Sequence, residues 1–266
     1  MVISVSNSRV KDMYKGFDLS DKVAALTGST AGMGFAIARG LAQCGAKIVV
    51  SSNAQEDTDQ AAHALSKEGF DVAGVRCDIT DRRDIGQFGA EAKRAFGKVD
   101  ILFCVAVGPV PVGPVQEIDQ DALDRLLIST VSNNLALARQ FLPEMAQRRD
   151  GSIVMMSSIA SRHPSPILGG YGAAKAALNG IVRSIAVEWG ASNVRANAIA
   201  PSFVRTAFSK DFWGDPEREK ALIARTPAGR IAEAEEVVGA AILLASPAGA
   251  YISGQVLLID GARSVT

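Results

Sequence analysis

Cysteine, histidine and an excess of charge of either sign are scarce or missing in this chain. Its 266 residues hold three cysteines and two histidines. Cys44, Cys77 and Cys104 are odd in number and lack metal-ligand spacing. Neither a metal centre nor a disulfide framework is therefore expected, and the thiols read as small apolar groups in a reducing compartment. Lysine plus arginine number 28, and aspartate plus glutamate number 28, a balance that provides no basic face for nucleic acid or an anionic membrane. No apolar run approaches the roughly 18 residues of a membrane span, and residues 1–16 mix charged and polar side chains without a signal-peptide core. These absences point to a soluble, cytoplasmic protein.

Apolar residues, at 48% of the chain, are plentiful enough for a substantial core. No linker divides them, so residues 1–266 read as a single domain with a loose lead-in over 1–17. Short apolar runs at 22–27, 47–52, 72–76, 100–106, 151–157, 194–199 and 256–259 predict strands. Helical periodicity predicts helices at 33–44, 55–67, 81–96, 171–189 and 233–245, and one long helix over 120–148. Alternating strands and helices imply an α/β, doubly wound Rossmann-type fold. Its seven-stranded, mostly parallel sheet carries helices on both faces.

The first strand runs into Gly28-Ser29-Thr30-Ala31-Gly32-Met33-Gly34. Glycines here let the backbone turn sharply and approach a ligand, and the following helix N-terminus favours a pyrophosphate. The strand before Ser158 leads to a second constellation. Tyr171 and Lys175, four apart, share one helix face. A serine at a strand end, a tyrosine and a lysine suit proton transfer to or from an alcohol oxygen. The lysine charge is expected to bring the tyrosine below its ordinary value of about 10.

Thr27-Gly-Ser-Thr-Ala-Gly32-Met-Gly34, Ser158 and Tyr171-Gly-Ala-Ala-Lys175 resemble the motifs of the short-chain dehydrogenase/reductase family. The resemblance extends over about residues 18–262, with Cys77-Asp78-Ile79, Arg195-Ala-Asn197-Ala-Ile-Ala-Pro201 and Gly254-Gln-Val-Leu-Leu-Ile-Asp-Gly261 as secondary marks. It implies a nicotinamide-dependent oxidoreductase interconverting a secondary alcohol and a ketone, in a homo-oligomer (dimer or homotetramer). In that pattern Ser158 holds the substrate oxygen and Tyr171 is the acid/base. Lys175 binds the nicotinamide ribose and lowers the tyrosine pKa. Gly28, Ser29, Thr30, Gly32, Met33 and Gly34 would cradle the cofactor phosphates, and Asp78 and Ile79 would line the adenine site. Ala106, Pro201, Val204 and Thr206 would border the nicotinamide and phosphates.

Three positions depart from the pattern. Cys104-Val-Ala-Val107 replaces the usual Asn-Asn-Ala-Gly, Ser202 follows Pro201 where glycine is usual, and Thr130 stands where the family places the asparagine of its catalytic tetrad. Thr130 is the expected substitute, holding a water on the proton path with its hydroxyl. Asn133 and Asn134 are alternatives, though both read as helix-surface residues. These departures keep a second reading open, a cofactor-binding scaffold or sensor with little turnover. The second strand ends Ser51-Ser52-Asn53 without the carboxylate that would repel a 2′-phosphate, which favours NADP and leaves NAD possible. No arginine follows directly to bind that phosphate. Residues 204–226 form the expected substrate lid, with Phe208, Phe212 and Trp213 either lining an apolar pocket or packing the lid down. His163 reads as a rim residue and His63 as an exposed one.

Overall fold

Val23–Thr27 is a five-residue run in which every side chain is buried, and it is an inner strand of the sheet. The computed structural model describes residues 14–266; most of the proposed lead-in, 1–13, lies outside the described residues. The strands are β1 (Val23–Thr27), β2 (Lys47–Val50), β3 (Val72–Gly74), β4 (Ile101–Cys104), β5 (Gly151–Met156), β6 (Val194–Pro201) and β7 (Val256–Ile259). They form one seven-stranded sheet in the order β3-β2-β1-β4-β5-β6-β7, with all six pairings parallel. The direction of winding reverses between β1 and β4. Open α/β sheets bind ligands at the carboxyl ends of the strands on either side of such a reversal.

The helices are α1 (Gly32–Gln43), α2 (Gln55–Lys67), α3 (Arg82–Phe96), α4 (Gln120–Leu127), α5 (Asn133–Arg139), α6 (Leu142–Arg148), α7 (Gly169–Trp189), α8 (Lys210–Trp213), α9 (Pro216–Ala224) and α10 (Val238–Ala245). Alternating strand residues feed two separate cores, one on each face. Ala25, Val49 and Leu102 join Phe88, Phe141, Leu178 and Val182 on the side of α3 to α7. Ala24, Leu26, Ile48 and Phe103 join Ile37, Leu41, Ala241 and Leu244 on the other. This is the two-faced burial expected of a parallel sheet. On the second face α1 packs directly against α10, so closely that a Cβ on Gly40 would meet Val238 Cγ1 at 2.2 Å. At the foot of the sheet Asp100, 1% exposed, accepts from Val23 N at 3.0 Å. It also pairs with Lys98 at 2.9 Å and Arg148 at 3.3 Å, so its buried charge is compensated.

The long helix expected over 120–148 is not continuous. A π-turn at Ile128–Ser132 widens it, and it breaks again before α6, where Pro143 occupies the first turn and Phe141 caps it. Proline lacks an N–H and its ring clashes with the carbonyl four residues back. The 233–245 helix begins as a 3-10 turn, closed by a capping box between Glu233 and Glu236. The expected lid contains two short helices, α8 and α9.

Candidate functional site

Gly28 and Gly32 have φ of 61° and 52°, a region that L side chains avoid. A Cβ on Gly34 would lie 2.0 Å from the Gly28 carbonyl oxygen, and one on Gly28 would lie 2.8 Å from the Ala106 backbone. The loop is thus folded onto itself and onto the chain leaving β4. Ala31 caps α1 without a side-chain hydrogen bond, and no acidic residue stands in the first turn. The leading N–H groups of α1 therefore face outward, ready for an anionic ligand. Thr206 closes over this loop: its Cγ2 is 3.0 Å from where a Gly32 Cβ would stand. Such a cradle fits a dinucleotide pyrophosphate.

Around it the proposed cofactor residues divide into two groups. Ser29 and Ser51 are fully buried. Their hydroxyls donate to the Leu26 carbonyl at 3.0 and 3.1 Å, and Ser51 N donates to Ser29 Oγ at 2.9 Å. Both side chains tie the loop to β1 and β2 and face away from solvent. Ser52 is half-buried and Asn53 exposed, leaving these two at the open end of β2. Asp78 Oδ1 accepts from Thr80 N and Oγ1 at 2.8 and 2.7 Å. Ile79 is buried in the core beside it. Pro201 ends β6, and the buried Val204 bridges to Ala232.

Ser158, Tyr171 and Lys175 converge beyond the end of β5. Ser158 caps the 3-10 turn that leaves the strand, its Oγ accepting from Ala160 N at 3.2 Å. Gly172 lets α7 come close to this turn, since a Cβ there would lie 2.6 Å from the Ala160 carbonyl oxygen. Lys175 is 2% exposed. Its Nζ donates to the Met156 carbonyl at 2.6 Å and lies 5.5 Å from the Tyr171 ring centroid. Burial pushes the ammonium down to about 8. The expected lowering of Tyr171 is not observed: burial pushes its phenol up to about 12, against a smaller downward pull from its hydrogen bond with Ser158. Desolvation of both groups outweighs the lysine charge.

Thr130 is fully buried in the π-turn, which packs against α7. Its Oγ1 is buried without a protein partner, while its carbonyl accepts from Asn134 Nδ2 at 2.7 Å. Asn133 and Asn134, read from sequence as surface residues, are both buried. Asn133 Nδ2 donates to the Ile79 carbonyl at 2.8 Å, steadying the chain after Asp78. Asn134 Oδ1, Asn179 Oδ1 and Ser157 Oγ are further buried atoms without a protein partner. Buried polar atoms of this kind are normally satisfied by ordered water. Asn179 stands one turn after Lys175 and Asn134 one turn after Thr130. That spacing was visible in the sequence but unremarkable without burial.

At the mouth, the segment after β4 is tied to the segment before α7. Gly113 N donates to the Ile167 carbonyl at 3.0 Å, and Gly113 and Leu168 form a parallel bridge. Val112, Val115 and Ile167 are exposed on these segments and Phe208 is exposed on the lid. Phe212 instead packs on Phe203, with ring centroids 5.6 Å apart. Trp213 donates to Ser209 Oγ at 2.9 Å beneath the Arg205 guanidinium. His163 is half-buried and His63 exposed. Cys104 is buried in the core, its thiol pushed up to about 12 by burial; it fills the position vacated by the family's asparagine with an inert side chain. All three cysteines are free.

A family model described as enoyl-(acyl carrier protein) reductase matches residues 28–262. Dehydrogenase/reductase SDR family member 4 of Bos taurus is 40% identical over 91% of this chain and 87% of its own length. A gluconate 5-dehydrogenase from Burkholderia cenocepacia, solved with NADP and tartrate, superposes with a TM-score of 0.89 at 28% identity, covering 95% of this chain and 98% of that one. A 7α-hydroxysteroid dehydrogenase, solved with NADH and 7-oxo glycochenodeoxycholic acid, superposes with a TM-score of 0.89 at 31% identity, covering 94% and 97%. Matched over nearly its whole described length in sequence and in fold, the chain belongs to the short-chain dehydrogenase/reductase family of NAD(P)-dependent oxidoreductases.

Proposed function

We propose that the protein interconverts a bulky, apolar secondary alcohol and its ketone with NADP(H), using Tyr171 as acid and base. The observation that carries this reading is the placement of the buried Lys175 ammonium against the Tyr171 ring, with Ser158 close enough to act on the same phenol. The nicotinamide cofactor supplies or accepts the hydride. In the reducing direction, Ser158 Oγ holds the substrate oxygen and Tyr171 Oη delivers its proton. Burial keeps the phenol protonated beforehand, and the Lys175 ammonium stabilises the phenolate left behind. Lys175 also holds the nicotinamide ribose, and Thr130 Oγ1 holds a water that returns the proton.

The outward N–H groups of α1, with Thr30, Met33 and Thr206, bind the pyrophosphate. Asp78 and Ile79 flank the adenine, and Ala106, Pro201 and Val204 border the nicotinamide. The exposed Val112, Val115, Ile167 and Phe208 support an apolar substrate, with residues 204–226 as its lid. A solved relative that carries 7-oxo glycochenodeoxycholic acid supports a substrate of this kind. A scaffold with little turnover is disfavoured because Ser158, Tyr171 and Lys175 stand assembled.

The exposed Ala173, Ala176, Ala177 and Val187 of α7 support a homodimer or tetramer, which light scattering checks. The three free thiols support a cytoplasmic location. The test of function is a panel of aromatic and alicyclic ketones and of sugar acids, read at the nicotinamide absorbance with NADPH and NADH in parallel. Turnover confined to sugar acids would overturn the substrate class, and no turnover on any carbonyl would overturn the activity.

A further inference from the structure

We propose that Arg76 recognises the adenosine 2′-phosphate of NADP and thereby sets the cofactor preference. The inference rests on the NADP reading above and goes beyond it by assigning the cation that β2 itself lacks. The chain leaving β3 runs on beside the end of β2: Val75 N donates to the Val50 carbonyl at 3.0 Å, and Cys77 N to the Ser52 carbonyl at 2.9 Å. Val75 and Cys77 are both buried in the core on the α3 face. In extended chain the residue between them points to the opposite face, and Arg76 does so, exposed at the strand ends.

Its guanidinium is not a loose surface charge. Nε donates to the Asn53 carbonyl at 2.8 Å, and Nη1 pairs with Asp84 Oδ2 at 2.5 Å. These two contacts fix the plane of the fork directly beside Ser52 and Asn53. Nη2 has no protein partner among the described residues. A preorganised fork with a free edge is what phosphate recognition needs.

Neighbouring groups are consistent with this assignment. Ser52 Oγ makes only long contacts of 3.3 Å to Ala54 N and Asn53 Oδ1, so it remains free to donate to a phosphate. The glycine loop brings no cation to the corner. Arg39 on α1 is already paired with Glu68 at 2.7 Å. The acidic side chains nearby are Glu56 and Asp57 in the first turn of α2, together with Asp78 and Asp84. Asp84 is the one in contact with Arg76, and its other role is to accept from Asp78 N at 3.2 Å. It holds the adenine-side chain and the guanidinium in one network.

Calorimetry of adenosine 2′,5′-bisphosphate and of 5′-AMP tests the assignment without turnover, alongside kcat/KM for NADPH and NADH. Arg76→Leu is expected to weaken the bisphosphate roughly tenfold to a hundredfold, as loss of a charge-assisted hydrogen bond would, and to leave 5′-AMP unchanged. Arg76→Lys should recover part of the loss. Asp84→Asn keeps an oxygen to hold the guanidinium and removes the competing charge, so it should tighten the bisphosphate, and it leaves the test intact if Arg76→Leu does not fold. A purely structural Arg76 would weaken both ligands equally in Arg76→Leu, and that result overturns the proposal. Wild type binding both ligands equally would overturn the NADP reading itself, an outcome distinguishable from the first.

Discussion

Lys175 lies against Tyr171 with its Nζ 5.5 Å from the ring centroid, and its ammonium donates to the carbonyl of Met156 at 2.6 Å. The lysine is anchored to the strand that ends at Ser158, so strand and helix present the three side chains as one unit. Tyr171→Phe keeps the ring that covers Lys175 and removes only the exchangeable proton. Turnover should fall roughly 10²–10⁴-fold, with cofactor binding by fluorescence titration unchanged. A folded Tyr171→Phe enzyme with near wild-type kcat would remove Tyr171 from its role.

The same buried ammonium makes stability depend on pH in a defined direction. Lys175 has a folded value of about 8 against an ordinary 10.5. Below pH 8 it is charged in both states and its desolvation cost is fully present. Between pH 8 and 10.5 the folded chain has released a proton that the unfolded chain still binds, so this contribution to stability rises with pH. The penalty at pH 7 is on the order of 3 kcal/mol. Lys175→Met should therefore melt above wild type at pH 7, and the difference should shrink by pH 9.5. Melting curves that remain parallel across this range would show that Lys175 is not the titrating group.

Thr130 Oγ1 is buried without a protein partner in a turn already widened by one residue. Thr130→Val has similar size and no hydroxyl. We expect kcat to fall and its pH profile to shift, with melting temperature and cofactor affinity held. Thr130→Asn should be tolerated, because the π-turn already supplies the irregular backbone that a larger amide needs. An unaltered pH–rate profile in Thr130→Val would make it a packing residue.

Ser52 stands at the open end of β2, where a carboxylate would meet the 2′-phosphate. Ser52→Asp should move the ratio of kcat/KM for NADPH over NADH towards NADH by roughly tenfold or more, through repulsion between like charges. Retained preference for NADPH would show that the phosphate is bound elsewhere.

Gly34 and Gly180 are both helical and should respond in opposite directions. A Cβ on Gly34 would meet the Gly28 carbonyl at 2.0 Å, whereas one on Gly180 meets nothing within 4 Å. Gly34→Ala should destabilise by roughly 1–3 kcal/mol as an overpacked site does, and weaken cofactor binding. Gly180→Ala should stabilise by roughly 0.4–1 kcal/mol through the unfolded state. Thermal melts with and without cofactor check both.

Much of this architecture was legible in the sequence. The seven apolar runs correspond to the seven strands because a parallel sheet buries both faces, and Gly28, Gly32 and Gly34 marked a turn where the backbone has no room for side chains. The burial of the asparagines was not legible. Asn133 and Asn134 read as surface residues from their polar side chains, although Asn133 stands seven residues after Leu126 and four before Leu137; the bonds that offset their burial, to Ile79 and Thr130, exist only in the fold. Tyr171 was misjudged because charge proximity can be read from a spacing of four residues, whereas desolvation depends on packing by distant segments. Arg76 escaped notice because β3 is paired beside β2 only in the fold; along the chain it is far from Ser52.

The close packing of α1 on α10 has a consequence for how the protein is made. Ile37 and Leu41, on the first helix, are covered by Ala241 and Leu244, near the end of the chain. At about 5–20 residues per second, a ribosome needs on the order of ten to forty seconds to deliver α10 after α1 has emerged. Throughout that interval the apolar stripe of α1 has β1 and β2 beneath it but lacks the part of its native cover that α10 supplies.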